Sequence, residues 1–329
     1  MPALTDAQRE RFQENGFLIL DKIIPDPTLT AIRAEYAALL DDIARDLLAA
    51  GRIAETFEHL DFDARYAALL AAAPEQYQRL DISLPMVHDL APDATLNAGA
   101  AVFGLLTGPA LLAVVEDLIG PEIYCNPIQH TRIKMPEALL PAHAREDSNI
   151  ARTLWHQDAA VALAEAAATE MLTVWVAITD ATREMGCMVA VPGSHRFPDL
   201  APHCPGRSGV GEIYIPEALV EPHPVVPLEV GAGGVVLLHR RTWHGAYPNT
   251  SERLRWSFDL RYQPPGQPTG RECFPGFLAA SRAHPEQVLR DPAHWRASWL
   301  AARDAIVGGR IQARFNERWE INHTHPLCA

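Results

Sequence analysis

The sequence has little positive charge for its size. Its 28 Lys and Arg residues stand against 41 Asp and Glu over 329 residues, which gives a formal net charge of −13. Nucleic acids and anionic membrane surfaces are bound through basic faces, so neither is expected as the main partner. A small anionic ligand stays compatible with this charge, because one local arginine can bind a carboxylate inside an acidic protein. A small-molecule substrate is therefore favoured, while the oligomeric state is left open.

Cysteines and long apolar segments are also scarce. The five cysteines, at positions 125, 187, 204, 273 and 328, include no CxxC pair and no spacing typical of a disulfide framework. We therefore expect reduced thiols. Residues 1–20 lack the basic segment and long apolar run of a signal peptide, and no apolar run is expected to reach the roughly 18 residues of a membrane span. These features together favour a cytoplasmic protein.

The first third of the chain, residues 1–120, reads as mostly helical. Thr5 or Asp6 can cap a short helix that ends at Asn15-Gly16, and a short strand is expected over 17–20. From Asp26-Pro27 to about Ala50, apolar residues recur at intervals of three and four, which predicts a helix with one buried face. Its predicted buried residues are Leu29, Ile32, Tyr36, Leu39, Leu40, Ile43 and Leu47. Further helices are predicted over 63–73 and 108–118.

The middle of the chain, residues 121–265, has the composition of antiparallel sheet. Short segments rich in β-branched and aromatic residues are separated by Pro and Gly turns. The predicted strands cover 123–135, 171–178, 187–191, 225–230, 234–239 and 254–262. Such a series suggests a sandwich or barrel-like double sheet. Residues 266–329 are predicted as a helical C-terminal extension, with helices over 285–289 and 294–307. No Gly- or Ser-rich linker divides the chain, so 1–329 is interpreted as a single domain, a mainly β core with flanking α-helices.

A His-x-Asp tripeptide occurs twice, at 59–61 and at 156–158. Roughly one copy is expected by chance in a chain of this composition, so the surroundings have to distinguish them. The copy at His59 lies in a helical, acidic stretch, where a solvated or capping role is favoured. The copy in "TLWHQDAAVA" lies at the edge of the β region, where His156 and Asp158 can point to the same side of a strand.

A metal ion needs at least a third ligand, and His244 is the best candidate. It follows a Gly-rich turn and the apolar strand of "GAGGVVLLHRRTWHGAYPNTSERLRWSFDLRY". Two imidazoles and one carboxylate form the facial triad of non-haem Fe(II) oxygenases. A structural zinc site would require four ligands, usually with cysteine. His239 and His195 remain rivals for the third position at this point.

Arg255 and Ser257 form a second candidate element on the next apolar strand. An inward-facing Arg-x-Ser supplies a guanidinium fork and a hydroxyl, which suit the capture of a carboxylate. A surface role is the alternative. The apolar neighbours in "LRWSFDL" favour burial, and a buried arginine needs an anionic partner.

These residues resemble the phytanoyl-CoA dioxygenase (PhyH-like) family of Fe(II)/2-oxoglutarate oxygenases. The likeness rests on "LTDAQRERFQENGFLIL", "LWHQD", "TVWVAITDATREMGCMVAVPGSHR" and "GAGGVVLLHRRTWHGAYPNTSERLR". It implies a double-stranded β-helix, the jelly-roll or cupin-like fold, over 121–265. It further implies that His156, Asp158 and His244 bind Fe(II) and that Arg255, with Ser257, holds 2-oxoglutarate. Implied neighbours of the cosubstrate are Trp175, Lys134 and Gln129. The Gly-Asp turn usual in the family is Gly233-Gly234 in this sequence.

The function implied by this resemblance is the oxidation of a substrate C–H bond by O2, coupled to conversion of 2-oxoglutarate to succinate and CO2. Related halogenases lack the carboxylate ligand, so Asp158 indicates hydroxylation or another oxidation. A small metabolite is favoured over an acyl-CoA, because the acidic chain shows no basic cluster for the phosphates of coenzyme A. The alternative function is a cupin-like isomerase or ligand-binding module without oxygen chemistry. Segments 132–154 and 203–217 and the C-terminal helices are predicted to set substrate specificity.

Overall fold

The main sheet joins strands that are far apart in the chain. The structure is a computed structural model that describes residues 3–87, 90–140, 149–206, 213–315, 318–319, 322 and 326–328. Its strands are β1 (Phe17–Leu20), β2 (Ile123–Cys125), β3 (His130–Lys134), β4 (Leu172–Ala177), β5 (Met188–Ala190), β6 (Cys204–Pro205), β7 (Ile213–Tyr214), β8 (Val226–Leu228), β9 (Val235–His239), β10 (His244–Ala246), β11 (Arg255–Gln263) and β12 (Phe277–Ala280). The main sheet runs β1-β9-β4-β11-β2-β12, with β3 also paired to β11. A smaller sheet runs β10-β5-β8, and β6 pairs with β7.

Two facing antiparallel sheets of this kind form a double-stranded β-helix, as the sequence predicts. The predicted strands at 171–178, 187–191, 225–230, 234–239 and 254–262 correspond to β4, β5, β8, β9 and β11. The predicted strand over 123–135 is instead two strands, β2 and β3. Pro127 cannot donate to a β-ladder, and the Asn126 side chain holds the break by accepting from the Ile128 amide at 2.7 Å.

The helices are α1 (Asp6–Asn15), α2 (Asp26–Ala49), α3 (Phe62–Ala72), α4 (Ala100–Leu106), α5 (Pro109–Ile119), α6 (Asp158–Val161), α7 (Glu217–Val220) and α8 (Pro292–Val307). The core on the face of the main sheet away from the smaller sheet is shared by α2, α3, α4, α5 and α8. The apolar face of α2 is buried as predicted except for Leu39, which is half-buried. Thr5 caps α1 with a capping box, and Gly16 ends that helix at φ 79°. Trp295 and Trp299 of α8 join the same core as α2 and the main sheet.

Residues 266–329 depart from the predicted helical extension. Strand β12 lies at the edge of the main sheet, and the predicted helix over 285–289 is a series of turns. Leu289 donates its amide to the carbonyl of Leu278 at 3.0 Å, so this segment bonds to β12 instead of closing a helical turn. Of the two helices predicted there, the one over 294–307 is present as α8.

The expectation that no apolar run reaches the length of a membrane span is wrong for one segment. Residues 100–119 are long and apolar enough by length and composition, with a mean hydropathy of 1.8. In the structure this segment is two helices, α4 and α5, separated at Thr107-Gly108. Four residues of α4 and four of α5 are buried in the main core, which is the behaviour of core helices in a folded domain.

The prediction that all cysteines are reduced is also wrong. Cys204 and Cys328 form a disulfide across a sequence separation of 124 residues, a pairing that local spacing could not reveal. Cys125, Cys187 and Cys273 are free and buried. The C-terminal residues near the disulfide also bond to α6, since the Trp319 indole donates to the carbonyl of Ala160 at 2.8 Å.

Candidate metal centre

His156 and His244 are brought together by backbone pairing at the edge of the smaller sheet. They form an isolated antiparallel bridge, in which each amide donates to the other's carbonyl at 2.8 and 3.0 Å. The Nδ1 of His156 lies 2.8 Å from the carbonyl of Leu154, and the Nδ1 of His244 lies 3.0 Å from that of Thr242. A carbonyl only accepts, so each Nδ1 carries the proton and each Nε2 keeps its lone pair for a metal.

Asp158 completes the group as the first residue of α6. Its Oδ1 lies 3.8 Å from Nε2 of His156, and its Oδ2 lies 3.7 Å from Nε2 of His244. The three potential ligand atoms all lie within 4.8 Å of one another. Two imidazole nitrogens and one carboxylate oxygen on one side of a centre fit the ligand set of a non-haem Fe(II) site.

Both oxygens of Asp158 have further partners. Thr173 on β4 donates its hydroxyl to Oδ2 at 2.6 Å, and Arg261 on β11 donates to Oδ1. Thr173 and Arg261 face each other in the register of these two strands. Complete burial opposes ionisation of Asp158, but the charge of Arg261 and the hydrogen bond from Thr173 favour the carboxylate, so its pKa lies well below the usual range. The carboxylate is therefore ionised.

His156 is held neutral. Burial, followed by the neighbouring His244, lowers the pKa of His156 from 6.5 to about 3. A neutral imidazole is the form that binds a metal, so no proton has to leave before binding near neutral pH.

A small pocket, with a cavity volume of about 20 Å³, opens between the two sheets at this centre. The main sheet contributes β4 and β11 to its wall, and the smaller sheet contributes β5 and β10. The lining residues are Thr153, His156, Asp158, Thr173, Trp175, Met188, His244, Gly245, Ala246, Arg255, Asp259 and Arg261. On β11 the lining side chains are two or four positions apart, as expected for one face of a strand.

Arg255 lies in this pocket with the partners that the sequence predicts. Its Nη1 donates to the hydroxyl of Ser257 at 2.8 Å, and its guanidinium carbon lies 5.4 Å from the ring centre of Trp175. Burial lowers the pKa of Arg255 to about 10, so it remains a cation at neutral pH. Its Nε has no hydrogen-bond partner within the described part of the chain. The arrangement can receive a carboxylate.

Lys134 and Gln129 are not among the residues that line the pocket. Lys134 is buried on β3, where it faces Arg255 in the strand register. Gln129 is buried just before β3, and its Oε1 lies 3.7 Å from the sulfur of Cys125. Contact of these two residues with a cosubstrate remains a prediction.

The rival histidines lie elsewhere. His195 and His239 pack against each other with ring centres 5.1 Å apart, and Nε2 of His195 lies 3.0 Å from the carbonyl of Gln13. The second His-x-Asp copy has the predicted structural role, because Asp61 caps α3 by accepting from the Ala64 amide at 2.9 Å. His244 is the histidine that the fold brings to His156 and Asp158.

Sequence reasoning missed Thr173, Asp259 and Arg261. The period of two along β11 carries the signal for two of them, since Arg255, Asp259 and Arg261 occupy one face of that strand. Thr173 requires knowledge of which strand lies next to β11. Parts of the predicted specificity segments, residues 141–148 and 207–212, lie outside the described residues.

The Gly233-Gly234 turn is braced by a carboxylate from the segment that follows β4. Asp180, just after β4, accepts the Ala232 amide at 2.9 Å. Gly233 has φ 80°, and a Cβ there would lie 3.0 Å from the carbonyl oxygen of Ile24. The carboxylate that holds this turn is therefore supplied by residue 180.

The fold and this site define a double-stranded β-helix protein with a candidate centre of two histidines and one carboxylate. The family model of phytanoyl-CoA dioxygenase (PhyH) matches residues 12–257, and the chain belongs to this family. The peroxisomal phytanoyl-CoA dioxygenase of Mus musculus is 26% identical over 262 residues, which cover 79% of this chain and 68% of the mouse protein. A probable phytanoyl-CoA dioxygenase of Caenorhabditis elegans is 24% identical over 261 residues, covering 79% and 75%.

Solved structures share the fold. The non-heme monooxygenase ThoJ aligns with a TM-score of 0.54 at 22% identity, covering 93% of this chain and 99% of ThoJ. The non-heme alpha ketoglutarate dependent carbocyclase SnoK from nogalamycin biosynthesis aligns with a TM-score of 0.50 at 21% identity, covering 80% and 86%. At this identity the likeness establishes the architecture.

Proposed function

We propose that the protein is an Fe(II)/2-oxoglutarate-dependent dioxygenase that oxidises a C–H bond of a small metabolite and releases succinate and CO2. The observation that carries this proposal is that a His-Asp-His group and a buried Arg-Ser pair line or adjoin one pocket. Membership of the PhyH family supports the same reaction class. Iron, 2-oxoglutarate and O2 would together supply the oxidising chemistry when bound.

The residues of the chain have separate tasks in this reaction. His156, Asp158 and His244 would hold the iron, leaving positions open for the cosubstrate and O2. Arg255 would bind the far carboxylate of 2-oxoglutarate, with Ser257 and Trp175 fixing the plane of its guanidinium. Thr173 and Arg261 orient Asp158 and keep it ionised. Residues of both sheets line the pocket.

A small metabolite is favoured as the substrate over an acyl-CoA. The formal charge of −13 provides no general attraction for the phosphates of coenzyme A. The mouse and nematode relatives carry phytanoyl-CoA in their names, whereas SnoK is named as a carbocyclase, so the family name leaves the substrate and the oxidation type open. We also propose that the oxidation is a hydroxylation and that the protein is cytoplasmic. In that compartment the Cys204–Cys328 disulfide would be unusual, because the cytoplasm keeps most thiols reduced.

The second candidate function is a cupin-like metal protein without oxygen chemistry. The geometry of the three ligands suits it equally, but such a protein has no use for the carboxylate site at Arg255. We therefore expect the anaerobic Fe(II) protein to develop the weak visible charge-transfer band of a chelated 2-oxo acid when 2-oxoglutarate is added. Absence of this band, together with no succinate release across a metabolite screen, would favour the second function.

Matched variants make the test specific. His244→Ala is expected to lose the band, whereas His239→Ala, which removes a histidine outside the pocket, is expected to retain it. If His244→Ala retained the band, the assignment of His244 as the third ligand would be wrong. Metabolites that raise succinate release above the uncoupled rate identify the substrate class.

A further inference from the structure

Arg271 is a buried cation that the reaction described above does not use. It lies between β11 and β12 and is 1% exposed. Its Nη1 contacts the sulfur of Met86 at 2.6 Å, its Nη2 lies 3.4 Å from the carbonyl of Val161, and its guanidinium carbon lies 5.0 Å from the ring centre of Phe315. None of these groups is anionic, and Nε has no partner within the described residues.

This environment is unfavourable for a guanidinium unless an anion joins it. A thioether is a weak acceptor, and burial of a charge is costly without a partner of opposite sign. Burial lowers the pKa of Arg271 to about 10, so it is still charged at neutral pH. Among the ion pairs of the described residues, none includes Arg271.

Arg255 shows the same combination of properties. It is 2% exposed, burial lowers its pKa to about 10, and its guanidinium lies against an aromatic ring. Its proposed partner is a carboxylate that arrives from solution. The molecule therefore contains two buried arginines built in the same way, and 2-oxoglutarate accounts for one of them.

The backbone holds Arg271 beside the metal centre. Gly270 has φ 72°, and a Cβ there would lie 2.6 Å from the Cβ of Ala162. The Leu163 amide donates to the Gly270 carbonyl at 3.2 Å. Val161, whose carbonyl Arg271 contacts, follows Asp158 by three residues in α6, a distance of about 5 Å along a helix axis. The guanidinium is thus fixed against the turn that carries Asp158.

A cluster of buried apolar side chains separates the two regions. Ile128, Val161, Ala162 and Ala166 form a small cluster next to Arg271. The Ile128 carbonyl accepts from Arg261 at 3.0 Å, and Arg261 in turn donates to Asp158. A ligand bound at Arg271 would therefore have its apolar part along this cluster and its far end toward the iron site.

We propose that Arg271 binds a carboxylate of the organic substrate, at a site separate from the 2-oxoglutarate site at Arg255. The substrate class is then a small carboxylic acid with an apolar chain, and this inference rests on the proposed dioxygenase function. Entry of the acid requires movement of Met86 and Phe315 from the guanidinium. A methionine side chain has three rotatable bonds and adapts easily to such a change.

The first test asks whether the protein itself supplies the anion. Arg271→Met removes the charge and keeps much of the volume, so thermal unfolding without ligand is expected at a temperature no lower than that of the wild-type protein. Arg65→Met is the control, because Arg65 is buried and pairs with Asp41, so its loss is expected to lower the unfolding temperature. A fall in Arg271→Met as large as in the control would show a structural ion pair and overturn the proposal.

The second test measures binding. The anaerobic Fe(II) protein is saturated with 2-oxoglutarate, so that the Arg255 site is filled, and its unfolding temperature is measured with butanoate, hexanoate or octanoate and with the primary amide of each acid. The acids are expected to raise the unfolding temperature of the wild-type protein and the amides are not. Arg271→Met is expected to lose this response, and Arg271→Lys to show a weaker one.

Three results would overturn the proposal: equal effects of acids and amides, a full response in Arg271→Met, or no response to any acid in the wild-type protein. The 2-oxoglutarate charge-transfer band keeps this failure distinct from failure of the proposed function. Arg271→Met is expected to form the band as the wild-type protein does. Absence of the band from the wild-type protein would contradict the dioxygenase function whatever Arg271 binds.

Discussion

To serve as a metal ligand, Asp158 would have to stay fixed and ionised although it is completely buried. Thr173 and Arg261 meet this requirement from neighbouring strands, each bonding one carboxylate oxygen. Groups that orient a ligand in this way typically change metal affinity by about 10- to 100-fold when they are removed. The candidate metal centre therefore includes Thr173 and Arg261 as well as its three candidate ligands.

Thr173→Val is expected to weaken Fe(II) binding by about 10- to 100-fold, because Oδ2 of Asp158 loses its donor while the side-chain shape is nearly kept. Anaerobic titration with Fe(II) measures the dissociation constant. Thr173→Ser retains the hydroxyl and should bind Fe(II) nearly as the wild-type protein does. Equal affinity in the valine and serine variants would remove the role assigned to Thr173.

Arg255→Lys is expected to raise the dissociation constant of 2-oxoglutarate by about 10- to 100-fold, since lysine cannot form the two parallel bonds of a guanidinium fork. Titration of the charge-transfer band measures this constant. Arg253→Lys is the control, because the Arg253 side chain is 65% exposed and lies two residues away on the chain. A similar change in both variants would show a general effect of charge.

His203 makes the stability of the metal-free protein depend on pH. Burial lowers its pKa from 6.5 to about 4, and its Nε2 accepts the Gln157 amide at 3.1 Å. Between these two pKa values the unfolded state binds a proton that the folded state does not, so this contribution is complete above about pH 6.5 and is lost as the pH falls toward 4. The loss is about 1.4 kcal/mol per pH unit.

Urea unfolding of the metal-free protein across this pH range measures the effect. His203→Gln keeps an acceptor for the Gln157 amide but does not titrate, so its free energy of unfolding should fall less steeply with decreasing pH. Parallel pH profiles of the variant and the wild-type protein would contradict the assignment to His203.

At the scale of elements, β11 supplies three residues of the pocket wall, and C-terminal residues contact α6, which carries Asp158. Strand β11 pairs with β2, β3 and β4, so its inward face is fixed along its length. On the opposite side, Trp319 bonds to Ala160 in α6, and Asn322 donates to the His203 carbonyl at 2.8 Å. The Cys204–Cys328 disulfide holds the C-terminal residues covalently to the segment that these contacts involve.

Cys328→Ser is expected to destabilise the protein by roughly 4–5 kcal/mol, the chain-entropy estimate for a closed loop of more than about 100 residues. Thermal unfolding with and without dithiothreitol measures this. The reductant should lower the unfolding temperature of the wild-type protein to that of Cys328→Ser and leave the variant unchanged. An unchanged wild-type protein under reducing conditions would show that the disulfide adds no stability.

For the molecule as a whole, local patterns predicted the elements, and motif chemistry predicted which two histidines and which carboxylate the fold brings together. Alternation of apolar residues and Pro-Gly turns are local, so β4, β9 and β11 were found close to their observed bounds. The His156–Asp158 pair became informative once His244 and Arg255 were placed on later strands. Strand β12 and the disulfide were missed because partners far along the chain determine them.

The same reasoning separates the parts of the site. Arg261 is on a predicted strand and on the face of Arg255, so its inward direction was available from the sequence. Its bond to Asp158 was not, because that contact depends on which strands pair and in which register. Sequence gives the side-chain chemistry, and the sheet order gives the distances.

The strand order of the main sheet also constrains how the protein is made. No two hydrogen-bonded neighbours in the main sheet are consecutive in the chain, within the described residues. During synthesis, β1 and β4 therefore remain without their partners until β9 and β11 leave the ribosome. The same delay applies to His156, because its bridge partner His244 lies 88 positions later in the chain. An iron ion could therefore meet all three candidate ligands only after residue 244 has left the ribosome.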